Sequence, residues 1–127
     1  MRKLKNSELQ RIEIDDFKKI PKIPLIVVLD NVRSMNNIGS IFRTADAFIV
    51  EKIYLCGITA SPPHKEIQKT ALDSTMSVEW EYFNDTRELV SKLKNLNFYV
   101  WSVEQTENSQ KLDKLEIKKN IKHAIIL

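Results

Sequence analysis

The sequence predicts an α/β domain with a mostly parallel sheet and helices on both faces. Three observations carry that prediction. Leu25-Ile26-Val27-Val28-Leu29 is a continuous β-branched apolar run of the kind that fills a strand covered on both sides. Downstream, strand-like and helix-like stretches alternate, which is the pattern of right-handed crossovers between parallel strands. The 127 residues are 43% apolar and 29% charged, so they can form one buried core and do not match a disordered chain.

Each element follows from local pattern. Residues 1–24 hold seven Lys/Arg and four Asp/Glu, whereas residues 25–127 hold thirteen of each, so the net charge of +3 lies in a basic N-terminal arm or helix. Such an arm meets phosphates electrostatically or simply exposes a solvated face. Residues 25–127 form the main domain. After the first strand, Asp30 to Asn37 turns polar. From Ile38 the apolar positions 38, 41, 42, 45, 48 and 49 make one stripe of an amphipathic helix. Lys52 to Cys56 reads as the second strand. Pro62 to Leu72 reads as a loop and short helix, and Val78 to Phe83 as the third strand. Asp85, followed by Glu88, opens a helix bearing Leu89, Val90, Leu93 and Leu96. Asn97 to Val103 is the fourth strand. Glu104 to Lys122 is polar, with one short helical piece at most, and His123 to Leu127 is a fifth buried strand. That last strand calls for a further covering element, which suggests that the sequence is the leading part of a larger domain.

Several function classes drop out. The apolar stretches fall short of the ~18 residues of a membrane span, and no apolar core follows the basic start as in a secretory signal, so a cytoplasmic setting is expected. Cys56 is a lone cysteine, expected to be a small buried hydrophobe, and leaves too few sulfur ligands for a zinc site; no metal is predicted. A generic nucleotide-binding module should show a glycine-rich phosphate loop, and neither Gly-x-Gly-x-x-Gly nor Gly-Lys-Ser/Thr occurs.

The chemistry concentrates between Asp30 and Phe48, which joins the carboxyl end of the first strand to its helix. Ligands of open α/β sheets bind at that edge. Asn36 or Asn37 can cap the helix, Gly39 permits a close backbone approach, and Arg43 projects away from the apolar stripe. Arg33 and Lys65 fall in loops at the same predicted edge, where they are candidate RNA phosphate contacts or solvated charges. His64, after the Pro62-Pro63 pair, receives no role. Trp80, Tyr82 and Trp101 read as packing residues in core or dimer, and the lysines at 111, 114, 118, 119 and 122 as an RNA-facing surface or a plain solvated one.

The spacing Asn37-x-Gly39-x-x-x-Arg43-Thr44-Ala45 resembles the first motif of the SpoU-type RNA ribose methyltransferases of the SPOUT superfamily. The likeness extends through Leu25 to Asn31, Lys52 to Thr59 and Lys69 to Leu72, and so over roughly residues 24–127. It implies the leading half of an α/β domain that ends in a deep trefoil knot. It also implies S-adenosyl-L-methionine-dependent methylation of a ribose 2′-hydroxyl in tRNA or rRNA, by a homodimer at full length. By matched position Arg43 would be the catalytic arginine and Asn37 its motif partner. Arginine is essentially never deprotonated, so Arg43 suits positioning and electrostatic activation rather than proton abstraction. Asn37 would orient that guanidinium or close the motif loop. The family's second and third motifs, a Gly-Asn-Glu loop and a Ser-Leu-Asn segment that bind the methyl donor and build the knot, would lie beyond Leu127, so no cofactor-binding residue is assigned in this chain. On that ground these 127 residues are expected to be inactive alone, and a non-catalytic RNA-binding remnant of that family is the alternative. Two further departures are Ile49, where many relatives have glycine, and Asp73-Ser74-Thr75, in place of a glycine-containing turn.

Overall fold

A computed structural model describes all residues, 1–127. Five strands, β1 (Ile23–Asp30), β2 (Val50–Cys56), β3 (Trp80–Phe83), β4 (Tyr99–Ser102) and β5 (His123–Ile126), form one sheet in the order β3-β2-β1-β5-β4. Every neighbouring pair is parallel. The helices are α1 (Ile14–Lys19), α2 (Met35–Phe48), α3 (Lys65–Ala71), α4 (Ser74–Ser77) and α5 (Thr86–Asn95). The polar segment before β5 holds a single 3-10 turn, Leu112–Lys114.

Alternation along the strands divides the core in two. Val27 and Leu29 of β1 and Ile53 and Leu55 of β2 meet Ile38, Phe42 and Ala45 of α2 and Ile67 and Ala71 of α3 on one face. Ile26, Val28, Tyr54, Cys56 and Ala124 meet Leu89 and Leu93 of α5 on the other. β1 and β2 therefore bury both faces, as their unbroken apolar sequences require. The faces also record the chain's path. It steps from β1 outward to β3 through helices on the first face, then returns to the far edge through α5 on the second. Right-handed crossovers demand that change of face when the direction of travel reverses.

Three sequence expectations shift. The first major helix begins at Met35 rather than Ile38, because Ser34, not Asn36 or Asn37, caps it: its Oγ accepts the Asn37 amide at 3.2 Å. Serine is as good a cap as asparagine, and the position one turn earlier wins. Ile49 ends α2 in the left-handed region, φ 58 and ψ 45. This is the terminating conformation that glycine adopts freely and a β-branched residue adopts under strain, so the glycine of the family pattern has a physical reason. In the Leu72-Asp73 turn it is Leu72 that carries the positive φ of 54, while Asp73 stays at −87.

Coverage is uneven. On the first face, Leu25 and Val27 of β1, Ile125 and Leu127 at β5, and Ile41 and Phe48 of α2 line an open apolar groove of about 370 Å³. No helix of the fold is long and apolar enough to cross a membrane.

Candidate functional site

The carboxyl ends of all five strands meet around a polar crevice of about 650 Å³. Asp30 and Asn31 follow β1, Gly57 follows β2, Asn84 to Arg87 lie between β3 and α5, and Ser102 and Ile126 end β4 and β5. Its rim is tied together by side chains. Asn31, at φ 52, accepts the Ile58 amide at 3.0 Å, and buried Thr59 donates to the Leu29 carbonyl at 3.0 Å while accepting the Val32 amide at 2.9 Å. The loops after β1 and β2 are thereby locked to each other. Tyr82 is not a core residue: it stands exposed, and its hydroxyl donates to the Gly57 carbonyl at 2.8 Å.

The crevice is rich in acceptors. Asp30 accepts from Thr86 Oγ1 at 2.6 Å and from Asn31 Nδ2 at 3.1 Å. Asp85 accepts the Arg87 and Glu88 amides at 2.8 and 3.2 Å, so the amides at the start of α5 are already taken by a carboxylate. Two acids and a filled helix start disfavour phosphate here and suit hydroxyl, amino or cationic groups. Beneath them burial pushes the Cys56 thiol up, the charges of Asp30 and Asp85 push the same way, and a Thr86 hydrogen bond opposes. Cys56 is fully buried and protonated, a packing residue as expected.

The motif residues separate. Gly39 is buried where α2 crosses α3; a Cβ there would overlap Thr70 Oγ1 and the Ile67 and Ala71 backbone, so the close approach it permits is to a helix. Thr70 Oγ1 also donates to the Asn36 carbonyl at 2.9 Å. Asn37 is exposed, its backbone amide is held by Ser34, and its side chain makes no hydrogen bond. Arg43 does not reach the carboxyl-edge crevice. At ~1.5 Å per residue, nine positions past the cap carry it well over 10 Å down α2. It lines a second groove, about 710 Å³, between α2, the start of α4 and the N-terminal arm. Neither Asp46 nor Glu51 pairs with it: Asp46 accepts from Ser77 Oγ at 2.8 Å, and Glu51 pairs with Lys122 at 3.3 Å.

Arg33 and Lys65 are exposed on the β1–α2 loop and at the first residue of α3, and line neither cavity. His64 is the cap of α3, its Nδ1 accepting the Glu66 amide at 3.1 Å. Two features went unread in the sequence. Arg11 of the arm shares the Arg43 groove, with only its charge as a signal. His123 is buried, bonded to Trp101 Nε1 at 3.1 Å and to the Lys118 carbonyl at 3.2 Å; a histidine opening an apolar strand was the available cue.

Comparison with known proteins now places this geometry. The profile of the SpoU rRNA Methylase family matches residues 24–127. The chain belongs to that family. Among solved structures it is similar to an rRNA methyltransferase from Sinorhizobium meliloti (24% identity, TM-score 0.72, 87% of this chain and 42% of that one). It is similar also to the A. aeolicus TrmH/SpoU tRNA modifying enzyme (21%, 0.73, 90% and 58%). A third is the SpoU methyltransferase AviRb from Streptomyces viridochromogenes in complex with AdoMet (17%, 0.69, 88% and 45%). At these identities the likeness is one of fold, and it confirms the parallel α/β sheet. This SpoU chain spans about half the length of the solved structures it matches. No curated protein matches it.

Proposed function

We propose that this SpoU-family chain forms part of an RNA 2′-O-methyltransferase that uses S-adenosyl-L-methionine on tRNA or rRNA in the cytoplasm. The single observation that carries the reading is Arg43: at the position of the family's motif arginine, it lines a groove with no ion-pair or hydrogen-bond partner. A guanidinium not consumed by its own protein is available to a substrate. Its fixed fork of donors suits a phosphate or the negative charge developing on a ribose oxygen.

The carboxyl-edge crevice fits the methyl donor in size and chemistry. A volume near 650 Å³ lies within the range of small-molecule sites, and its carboxylates suit a ribose diol and a cationic ligand. Asp30, Asp85 and Ser102 would contribute to holding that nucleoside, a role that the sequence by itself assigns to no residue of this chain. When bound, the cofactor supplies an activated methyl group. The chain's own contribution is to orient and to exclude water, since in-line displacement depends on geometry more than on acid-base power.

The two cavities have no lining residue in common. A homodimer, in which the Arg43 groove of one copy faces the crevice of the other, would bring the cation to the reacting centre. Asn37, exposed one and a half turns before Arg43, would then face the substrate, with Arg33 and Lys65 as outlying phosphate contacts.

The test is transfer of a tritiated methyl group from S-adenosyl-L-methionine to tRNA and rRNA transcripts by the full-length enzyme of which this chain forms part, with ribose methylation read after nuclease digestion. Arg43→Ala is expected to lower transfer by about 100-fold or more with an unchanged unfolding midpoint, because the side chain is exposed. Equal turnover by the variant overturns the assignment. RNA binding without transfer by the unmutated protein points to the binding-only alternative.

A further inference from the structure

We propose that the N-terminal arm is a working wall of the RNA site, with Arg11 supplying a second guanidinium to the nucleotide held by Arg43. The inference rests on the reading that Arg43 meets RNA, and extends it to a segment outside the residues that match the family.

The groove has two sides. Arg43 and Asp46 project from α2, while Gln10, Arg11 and Glu13 come from the arm, and Asp73 closes one end. The arm is seated rather than trailing. α1 packs against α4, and Lys22 Nζ donates to the Phe17 carbonyl at 2.7 Å while lying 3.6 Å from the centre of the Phe17 ring. Arg11, just before α1, is thereby carried into the groove.

Arg11 and Arg43 are the two cations that line this groove, and neither is spent on a partner as some cations of the chain are. Arg2 of the same arm binds Glu8 at 2.8 Å, Lys69 binds Glu66 at 2.9 Å, and Lys122 binds Glu51 at 3.3 Å. The side chains of Arg11 and Arg43 have no ion-pair partner. Two unpaired planar forks lining one groove offer the donors that phosphate oxygens take.

The acids in the groove sharpen the ligand class. Asp46 is committed to Ser77, which leaves Glu13 and Asp73 as carboxylates without an ion-pair partner in the same groove as the two arginines. So balanced a set is a poor track for a polyanion. It suits one nucleotide unit, in which the phosphate takes the guanidiniums and a carboxylate accepts from the 2′-hydroxyl. DNA lacks that hydroxyl, so the site should prefer RNA.

Fluorescence anisotropy with a short single-stranded RNA, and with DNA of the same sequence, tests this over a salt series. Arg11→Ala is expected to weaken RNA binding about tenfold and to reduce the salt slope by about 0.7, the value for one lost single-strand phosphate contact. The Arg11→Ala/Arg43→Ala pair should lose less than the sum of the two, because both act on one nucleotide. Arg2→Ala, which removes an arm charge already paired, should change neither quantity. Circular dichroism of each variant reports on folding. Arg11→Ala binding like the unmutated chain, or Arg2→Ala losing as much as Arg11→Ala, overturns the proposal while leaving Arg43 intact. Loss on Arg11→Ala with none on Arg43→Ala overturns both the shared nucleotide and the Arg43 reading. Equal affinity for DNA removes the role given to the carboxylates and overturns the proposed ligand.

Discussion

Lys52 shows what a cation used for structure looks like in this protein. Its ammonium lies 2.7 Å from Glu81 on β3, 3.6 Å from Glu79 just before that strand, and 4.8 Å from the centre of the Tyr54 ring. Burial alone would lower its pKa, but the Glu81 hydrogen bond and the neighbouring charges outweigh it and hold the group above its ordinary 10.5. Glu81 is held below 4.5, first by that hydrogen bond and then by the Lys52 charge. The pair therefore stabilises fully between those ordinary values. It is lost as pH falls through the lowered Glu81 value, and again as pH rises through the raised Lys52 value. Glu81 is half exposed, so the surface magnitude applies. Glu81→Gln is expected to cost about 0.5 kcal/mol at pH 7, and the difference should vanish in strong acid, read as urea midpoints across pH. Arg43 and Arg11 have no such partners, which is why function and not stability is the reading for them.

At the scale of elements, the α2–α3 crossing decides whether the motif helix sits correctly. Alanine at position 39 would gain about 1 kcal/mol of helix propensity, yet its methyl group would strike Thr70 and the α3 backbone. Overpacking of that kind costs about 1–3 kcal/mol, and backbone cannot rotate aside. Gly39→Ala is expected to be net destabilising by up to about 2 kcal/mol in urea unfolding, and to displace Arg43 along with α2. The sequence conveyed Gly39's tight approach but not its partner, since α3 lies about thirty positions downstream. Helix α5 was legible because Asp85 and the Leu89/Leu93 stripe are local signals. The start of α2 was not, because Ser34 and the two asparagines offer comparable caps and only tertiary packing selects among them. Arg43 was legible as a residue and misplaced as a location, since a helix that leaves the sheet edge carries its third turn away from it.

The whole molecule is asymmetric in its coverage. The strand sequences announced a parallel sheet, but no local pattern reveals that β5 inserts between β1 and β4. That order comes from which faces the helices cover. It leaves the β1–β5 seam open on one face, with Phe48 66% exposed and Leu127 40% exposed beside it. Apolar surface of this kind is a binding or association surface on a soluble protein. The 127-residue chain is expected to enhance 8-anilinonaphthalene-1-sulfonate fluorescence in its folded state, and Phe48→Ser should cut that enhancement at unchanged helicity. A dark dye with folded protein would show the groove to be closed in solution.

The pairing of β1 with β5 sets a clock. Leu25 aligns with His123, roughly 100 residues later, so during synthesis the central strand acquires its second neighbour about 5–20 s after it emerges. For that interval β1, which ends in the middle of the sheet, presents a free edge. A ribosome-bound chaperone would find its target there.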